Sequence, residues 1–150
     1  MSTTMLSFCQ PKKQVGADFQ FEEVIAETQN KTGAERIDLD SKGVGPISVV
    51  ELDQIVNQEM ALKGKAVFDL KCVACHKVEE RFMGPAMKGV TKRRTAEWIM
   101  NMILNPNEMV NKDSLAMEVF IAFDGMPMSN MGLTEKEARE VLEYFRSIDS

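Results

Sequence analysis

The chain has 150 residues, 44% of them hydrophobic, which is room for one domain, or one domain with an ordered tail. A net charge of −5 leaves no basic excess to neutralise phosphates, so nucleic acid is excluded as a partner. No stretch approaches the roughly 18 apolar residues that a membrane-spanning helix needs.

Residues 1–57 carry little pattern. They hold five Lys and Arg against nine Asp and Glu, whereas the rest of the chain holds thirteen against fourteen. The acidic excess therefore lies mostly in this N-terminal extension. Cys9, in the setting Leu6-Ser7-Phe8-Cys9 followed by Gln10-Pro11-Lys12-Lys13, is similar to the end of a bacterial lipoprotein signal. Phe8 stands where a small residue is usual, and Met1 to Phe8 is short for a complete signal. A signal shortened at its start accounts for both facts; a free thiol on a mobile tail is the alternative reading. Phe19 to Ala26 fits a short helix, Lys42-Gly43-Val44-Gly45-Pro46 a turn cluster, and Ile47 to Leu52 an extended run. The extension reads as a flexible tether or arm that then wraps the helical region beyond it, with disorder throughout as the competing reading.

From about Gln58 the pattern is helical, with Leu62, Ala66, Val67 and Leu70 expected on one face. Gly64 either admits another helix closely or occupies an exposed position at the usual propensity cost. This helix delivers Cys72-Val73-Ala74-Cys75-His76. Cys-x-x-Cys-His is the attachment signature of a c-type haem. Two thiols add across the two vinyl groups, and the next residue places an imidazole under the iron. His76 is the only histidine in the chain. A zinc site would need a second ligand pair downstream, and a thioredoxin-type redox pair would need flanking strands. Neither is visible.

Arg81 to Gly89 reads as a loop with two glycines and a proline. A neutral axial histidine needs its other ring N–H held by an acceptor, and the Pro85 carbonyl is the candidate; an ordinary turn is the alternative. Thr95 reads as an N-cap for a helix with Trp98, Ile99, Met102 and Ile103 as its apolar stripe, ended by Asn105-Pro106. Asp113 to Phe123 is a further helix, closed by Asp124-Gly125, with Leu115, Val119 and Ala122 facing the core. Thr134-Glu135-Lys136-Glu137 is a capping box, and Ala138, Val141, Leu142, Phe145 and Ile148 come after it at helical spacing.

A second axial ligand decides whether a haem binds small molecules or moves electrons. Bis-histidine ligation is excluded within one chain that has a single histidine. Met126, Met128 and Met131 lie in the polar, turn-rich stretch Gly125 to Leu133, and a thioether suits haem iron. With twelve methionines in the chain, core filling is the competing role for each.

From about Leu62 to the C-terminus the order of parts resembles the class I cytochrome c family, in particular small bacterial monohaem members. The shared parts are Gly64 and Phe68, the Cys72-Val73-Ala74-Cys75-His76 motif, Gly84-Pro85, a helix ending at Asn105-Pro106, the methionine loop, and a last helix bearing Val141 and Tyr144. The resemblance implies an all-α cytochrome c fold, several helices around one covalently bound haem c per chain. Residues 58–150 would form that domain and 1–57 an irregular extension without counterpart in the minimal fold. The first and last helices would cross, Gly64 and Phe68 meeting Val141 and Tyr144, and Pro85 would accept the hydrogen bond from His76. One family spacing before the last helix selects Met126 as axial ligand, another selects Met128. Pro127-Met128-x-Asn before Leu133-Thr134 is more similar to the second, so the expected cofactor-binding set is Cys72, Cys75, His76, Pro85 and Met128. His76 and Met128 are its iron ligands, with Met126 and then Met131 as alternatives. Trp98 sits inside a helix, so the family's propionate-binding tryptophan cannot be carried onto it, and packing is its expected role. The helix at Asp113 to Phe123 is longer than in compact members.

By this resemblance the chain is a one-electron carrier and not an enzyme. It would be periplasmic, since covalent haem attachment in bacteria occurs outside the cytoplasm, and tethered to a membrane if Cys9 is acylated. Its partners would be redox proteins, donor and acceptor, with a terminal oxidase, peroxidase or nitrogen-oxide reductase as recipient. Lys71, Lys77, Arg81, Lys88, Lys92, Arg93 and Arg94 would steer it to an acidic surface, or form an ordinary solvated face. Two rival readings stand: a fixed haem subunit of a membrane-associated respiratory complex, and a five-coordinate haem that binds ligands or acts as a peroxidase.

Overall fold

The computed structural model describes residues 32–150, so Cys9 and the helix expected at Phe19–Ala26 lie outside the described residues. Among the described residues all regular structure is helical. Helix α1 (Gln58–Lys71) is opened by Asn57, whose side chain accepts the Met60 N–H at 3.0 Å. The short α2 (Val90–Arg93) leads to α3 (Ala96–Leu104), where the Thr95 hydroxyl accepts from the Trp98 N–H as its spacing predicts. Helix α3 does end before Pro106. That proline then opens a further helix, α4 (Pro106–Lys112), which the sequence pattern did not reveal. Proline suits the first helical position, where its missing N–H costs nothing.

Asp113 ends α4 and caps α5 (Ser114–Ala122), accepting the Ala116 N–H at 2.8 Å. Asp124 and Gly125, with φ of 57° and 71°, turn the chain away after α5. Helix α6 (Glu135–Asp149) carries the expected capping box, with Thr134 and Glu137 each bonding the other's backbone.

The fold is centred on the crossing of α1 and α6. A Cβ on Gly64 would overlap the Glu140 carbonyl and the Val141 nitrogen, so the backbones touch there. One turn on, the Phe68 ring lies 5.5 Å from Tyr144 and 5.9 Å from Phe145. Phe68, Val141, Leu142 and Phe145 are buried, each contributing about 1.5–3 kcal/mol of hydrophobic stabilisation. Ile99, Met100 and Ile103 of α3 complete this core. A second cluster joins Trp98 to Met109, Leu115 and Ala116.

The buried face of α1 is not the expected one. Ala61, Gly64 and Phe68 are buried and Val67 is half-buried, while Leu62 and Leu70 are 70% and 81% exposed. The helix bears apolar residues on more than one face, and the close approach that Gly64 allows selects the contact.

Residues 32–57 are irregular and lie along the helices. The buried Asn101 side chain accepts the Ile47 N–H and donates to the carbonyls of Lys42 and Ile47, each at 2.9 Å. The Asn57 N–H donates to Glu143 at 2.7 Å, and Arg146 donates to the Asp53 carbonyl at 2.5 Å. Ile47 and Val50 pack on the main core.

Candidate functional site

Helix α1 ends by turning the motif back on itself. The N–H groups of Cys75 and His76 both donate to the Cys72 carbonyl, at 3.0 and 2.9 Å, and the Gly84 N–H donates to the Cys75 carbonyl at 2.9 Å. This brings Cys72, Cys75 and His76 to one wall of an apolar cleft that Phe68, Ile99, Ile103, Val141 and Phe145 also line. The two cysteines form no disulfide with each other; Cys75 is exposed and Cys72 half-buried. Burial pushes the Cys72 thiol pKa up.

Nδ1 of His76 lies 3.1 Å from the Pro85 carbonyl oxygen. A carbonyl only accepts, so Nδ1 carries the proton and Nε2 keeps a free lone pair. Burial pulls the imidazole's pKa down, and the Pro85 hydrogen bond opposes this only partly, so the ring is neutral at pH 7. Gly84 faces the ring, where a Cβ would stand against Cε1 and 2.8 Å from Nδ1. Glycine is the residue that leaves room for the imidazole at this orientation.

Methionines crowd the rest of the cleft: Met83, Met87, Met102, Met126, Met128 and Met131 all line it. Of the three loop methionines, Met128 is half-buried and packs on the main core, while Met126 and Met131 are 48% and 41% exposed. Met83 and Met87 carry no signal of this in the sequence, and Met102 is expected there only as part of the α3 apolar stripe. Nothing in their spacing separates cleft lining from core filling.

Trp98 also borders the cleft, but its Nε1–H is committed to Asp113 at 3.1 Å, in keeping with a packing role. The basic residues divide into two sets. Lys71, Lys77, Arg81 and Lys88 are at the surface: Lys71 donates to the Met131 carbonyl, Lys77 lies over Phe82, Arg81 stacks 4.0 Å above Phe123, and Lys88 pairs with Glu79. Arg94 is only 4% exposed and borders the cleft with Arg93. It therefore cannot belong to an exposed docking face. Burial first, and the neighbouring Arg93 charge second, push the Arg94 pKa down to about 10, which still leaves it charged at neutral pH.

This donor set fits a covalently attached haem c. Two thiols three residues apart flank an apolar cleft, the adjacent imidazole presents a bare Nε2, and a glycine leaves the ring its space. A buried cation, Arg94, borders the cleft, where it would meet the porphyrin's carboxylates. Among the described residues no three His, Cys, Asp or Glu side chains are grouped so as to hold a metal ion, so the zinc alternative lacks its ligands. No helix among them is long and apolar enough to cross a membrane.

The sequence profile of the family described as Cytochrome c matches residues 61–149. No curated protein matches the sequence. Among solved structures, a cytochrome c from Rhodothermus marinus is similar at 39% identity and a TM-score of 0.67, covering 69% of this chain and 89% of its own. An engineered form of it bound to a carbene intermediate is similar at 38% identity and a TM-score of 0.65, over 69% of this chain and 89% of its own. The cytochrome c domain of a Pseudomonas putida protein is similar at 31% identity and a TM-score of 0.52, over 56% of this chain and 85% of its own.

Proposed function

This chain belongs to the cytochrome c family and carries covalently bound haem c, and from that premise we propose that it is a periplasmic one-electron carrier with His76 and Met128 as axial ligands. When bound, the haem supplies a ferric–ferrous couple whose potential its ligands and surroundings set. Cys72 and Cys75 would retain the macrocycle through thioether bonds. Pro85 holds the His76 Nδ1–H, so that Nε2 faces the cleft as a neutral donor. The observation that carries the ligand assignment is that Met128 is half-buried and packs on the main core, whereas its loop neighbours Met126 and Met131 are the more exposed. A ligand held by packing keeps its place in both oxidation states, which keeps reorganisation small.

Electrons enter and leave beside the exposed Cys75, where Val73 and Phe82 are also exposed. Docking there is brief, over a small interface of the kind redox partners use. The recipient we favour is a terminal oxidase, peroxidase or nitrogen-oxide reductase, and acylation of Cys9 would hold the protein at a membrane. We read the chain as a carrier and not an enzyme; the carbene intermediate belongs to an engineered relative.

Carbon monoxide tests this reading. Mixed with the reduced holoprotein, it should bind slowly and incompletely, because Met128 must leave first. Rapid, complete binding at the wild-type iron would overturn the carrier reading in favour of a ligand-binding or peroxidase haem.

A further inference from the structure

The stretch that carries Met128 has little of its own to hold it. Residues 126–134 form no helix or strand, and among the described residues the Met128 backbone makes no hydrogen bond. The chain enters this stretch from the end of α5 through Phe123, Asp124 and Gly125, and the last two, with φ of 57° and 71°, set its direction. How α5 ends therefore decides where Met128 is carried. The far end of the stretch has anchors of its own: Lys71 donates to the Met131 carbonyl and Asn130 to that of Leu104.

The near end is held by Arg81. This residue belongs to the loop on the histidine side of the cleft. That loop is tied to the motif, since the Phe82 N–H donates to the Gly84 carbonyl and the Gly84 N–H to the Cys75 carbonyl, at 3.0 and 2.9 Å. From there the Arg81 guanidinium reaches α5. It donates to the Ala122 carbonyl at 2.8 Å and lies 4.0 Å from the centre of the Phe123 ring, which is buried and lines the cleft. Ala122 is in the last turn of α5, where carbonyls lack helical partners and the helix dipole favours a cation. Among the described residues no other hydrogen bond or ion pair joins residues 77–89 to residues 114–133. Two neighbouring cations behave differently: Lys77 lies over Phe82 and Lys88 pairs with Glu79, both within their own loop.

We propose that Arg81 is a positioning residue for the sixth ligand: it clasps the histidine loop to the end of α5, and so keeps Met128 at the iron. The proposal deepens the carrier reading and rests on its axial assignment. The clasp acts on an equilibrium. Carbon monoxide reaches a reduced iron only in molecules whose methionine has swung away, so its binding rate reports the open fraction. A contact made only in the closed form lowers that fraction, and its removal raises it. Both contacts of Arg81 span the two sides of the cleft, so both are lost when the sides part.

The test measures carbon monoxide binding rates of reduced, full-length holoprotein in wild type, Arg81→Ala, Arg81→Lys and Lys88→Ala, with melting temperatures alongside. Lys88→Ala removes the same charge from the same loop without touching α5. Arg81→Ala should bind roughly five-fold faster than wild type, as expected for losing a cation–ring contact and a charged hydrogen bond at the surface. Arg81→Lys, which keeps a cation for the ring and the carbonyl, should lie nearer wild type, and Lys88→Ala should match wild type. A wild-type rate in Arg81→Ala, with only the melting temperature lowered, would make the contact purely structural and overturn the proposal. An equal rise in Lys88→Ala would trace the effect to charge alone and overturn it as well. Rapid, complete binding in wild type defeats the axial assignment instead, so the two failures are told apart.

Discussion

Gly84 and Glu143 show how much single residues decide in this molecule. A methyl at position 84 must displace the His76 ring or the loop that holds it. Gly84→Ala is therefore expected to lose about 1–3 kcal/mol, as overpacking does, and to weaken the Nδ1–Pro85 bond. Chemical denaturation of the holoprotein checks the first effect, and an upward shift in potential, because a less basic imidazole stabilises ferric iron less, checks the second. Glu143 is 1% exposed and takes hydrogen bonds from Asn57 N–H, Arg139 and Arg146. Burial alone would raise its pKa, but these three donors outweigh burial and hold it below the usual carboxylate range. A folded-state pKa below the unfolded one contributes stability above the unfolded value and loses it as pH falls through the folded value. Glu143→Gln should thus cost about 2 kcal/mol at pH 7, and the gap should narrow steadily below about pH 4. Equal gaps at pH 3 and pH 7 would count against the charge's role. Cys72, Cys75 and His76 were legible in the sequence because their chemistry fixes their spacing. Arg94, Asn101 and Glu143 were not, because a buried polar residue looks like a surface residue until its partners are known.

Among elements, the crossing of α1 and α6 carries the most consequence. Gly64→Ala gains about 1 kcal/mol of helix propensity but drives a methyl into the Glu140 carbonyl. Backbone cannot yield as a side chain does, so a net loss of about 2 kcal/mol or more is expected, read as a lower melting temperature. An unchanged melting temperature would mean that the helices do not touch there. The crossing itself, and the meeting of Phe68 with Tyr144, were implied by resemblance to the family. The buried face of α1 is not legible from its apolar residues, since Leu62 and Leu70 stand in solvent. Helix α4 was not legible because a proline after a helical run signals an end, whereas Pro106 is also a favourable first residue. Capped helices were the easiest to find: Thr95, Asp113 and Thr134 each bond the backbone that their spacing indicates.

For the whole molecule, net charge and local charge point opposite ways. The chain carries −5 overall, yet Lys71, Lys77, Arg81, Lys88 and Lys92 lie on and just beyond the haem-bearing segment. A Debye length of about 8 Å at physiological salt means that the local set governs an encounter at that surface. Oxidation of the reduced protein by an anionic complex such as ferricyanide should therefore slow as ionic strength rises. Acceleration with salt would mean that the net negative charge dominates. The path of residues 32–57 was not legible, because an irregular segment has no period to read and its position depends on buried partners such as Asn101 and Arg94.

The proposed carrier function turns on an iron held by His76 and Met128. The visible spectrum of the oxidised holoprotein tests this, in wild type, Met126→Ala and Met128→Ala, at the weak long-wavelength methionine–ferric band. The band is expected in wild type and in Met126→Ala, and should be lost in Met128→Ala alone. Loss in Met126→Ala with retention in Met128→Ala would contradict the assignment, and a wild-type protein without the band would contradict the carrier.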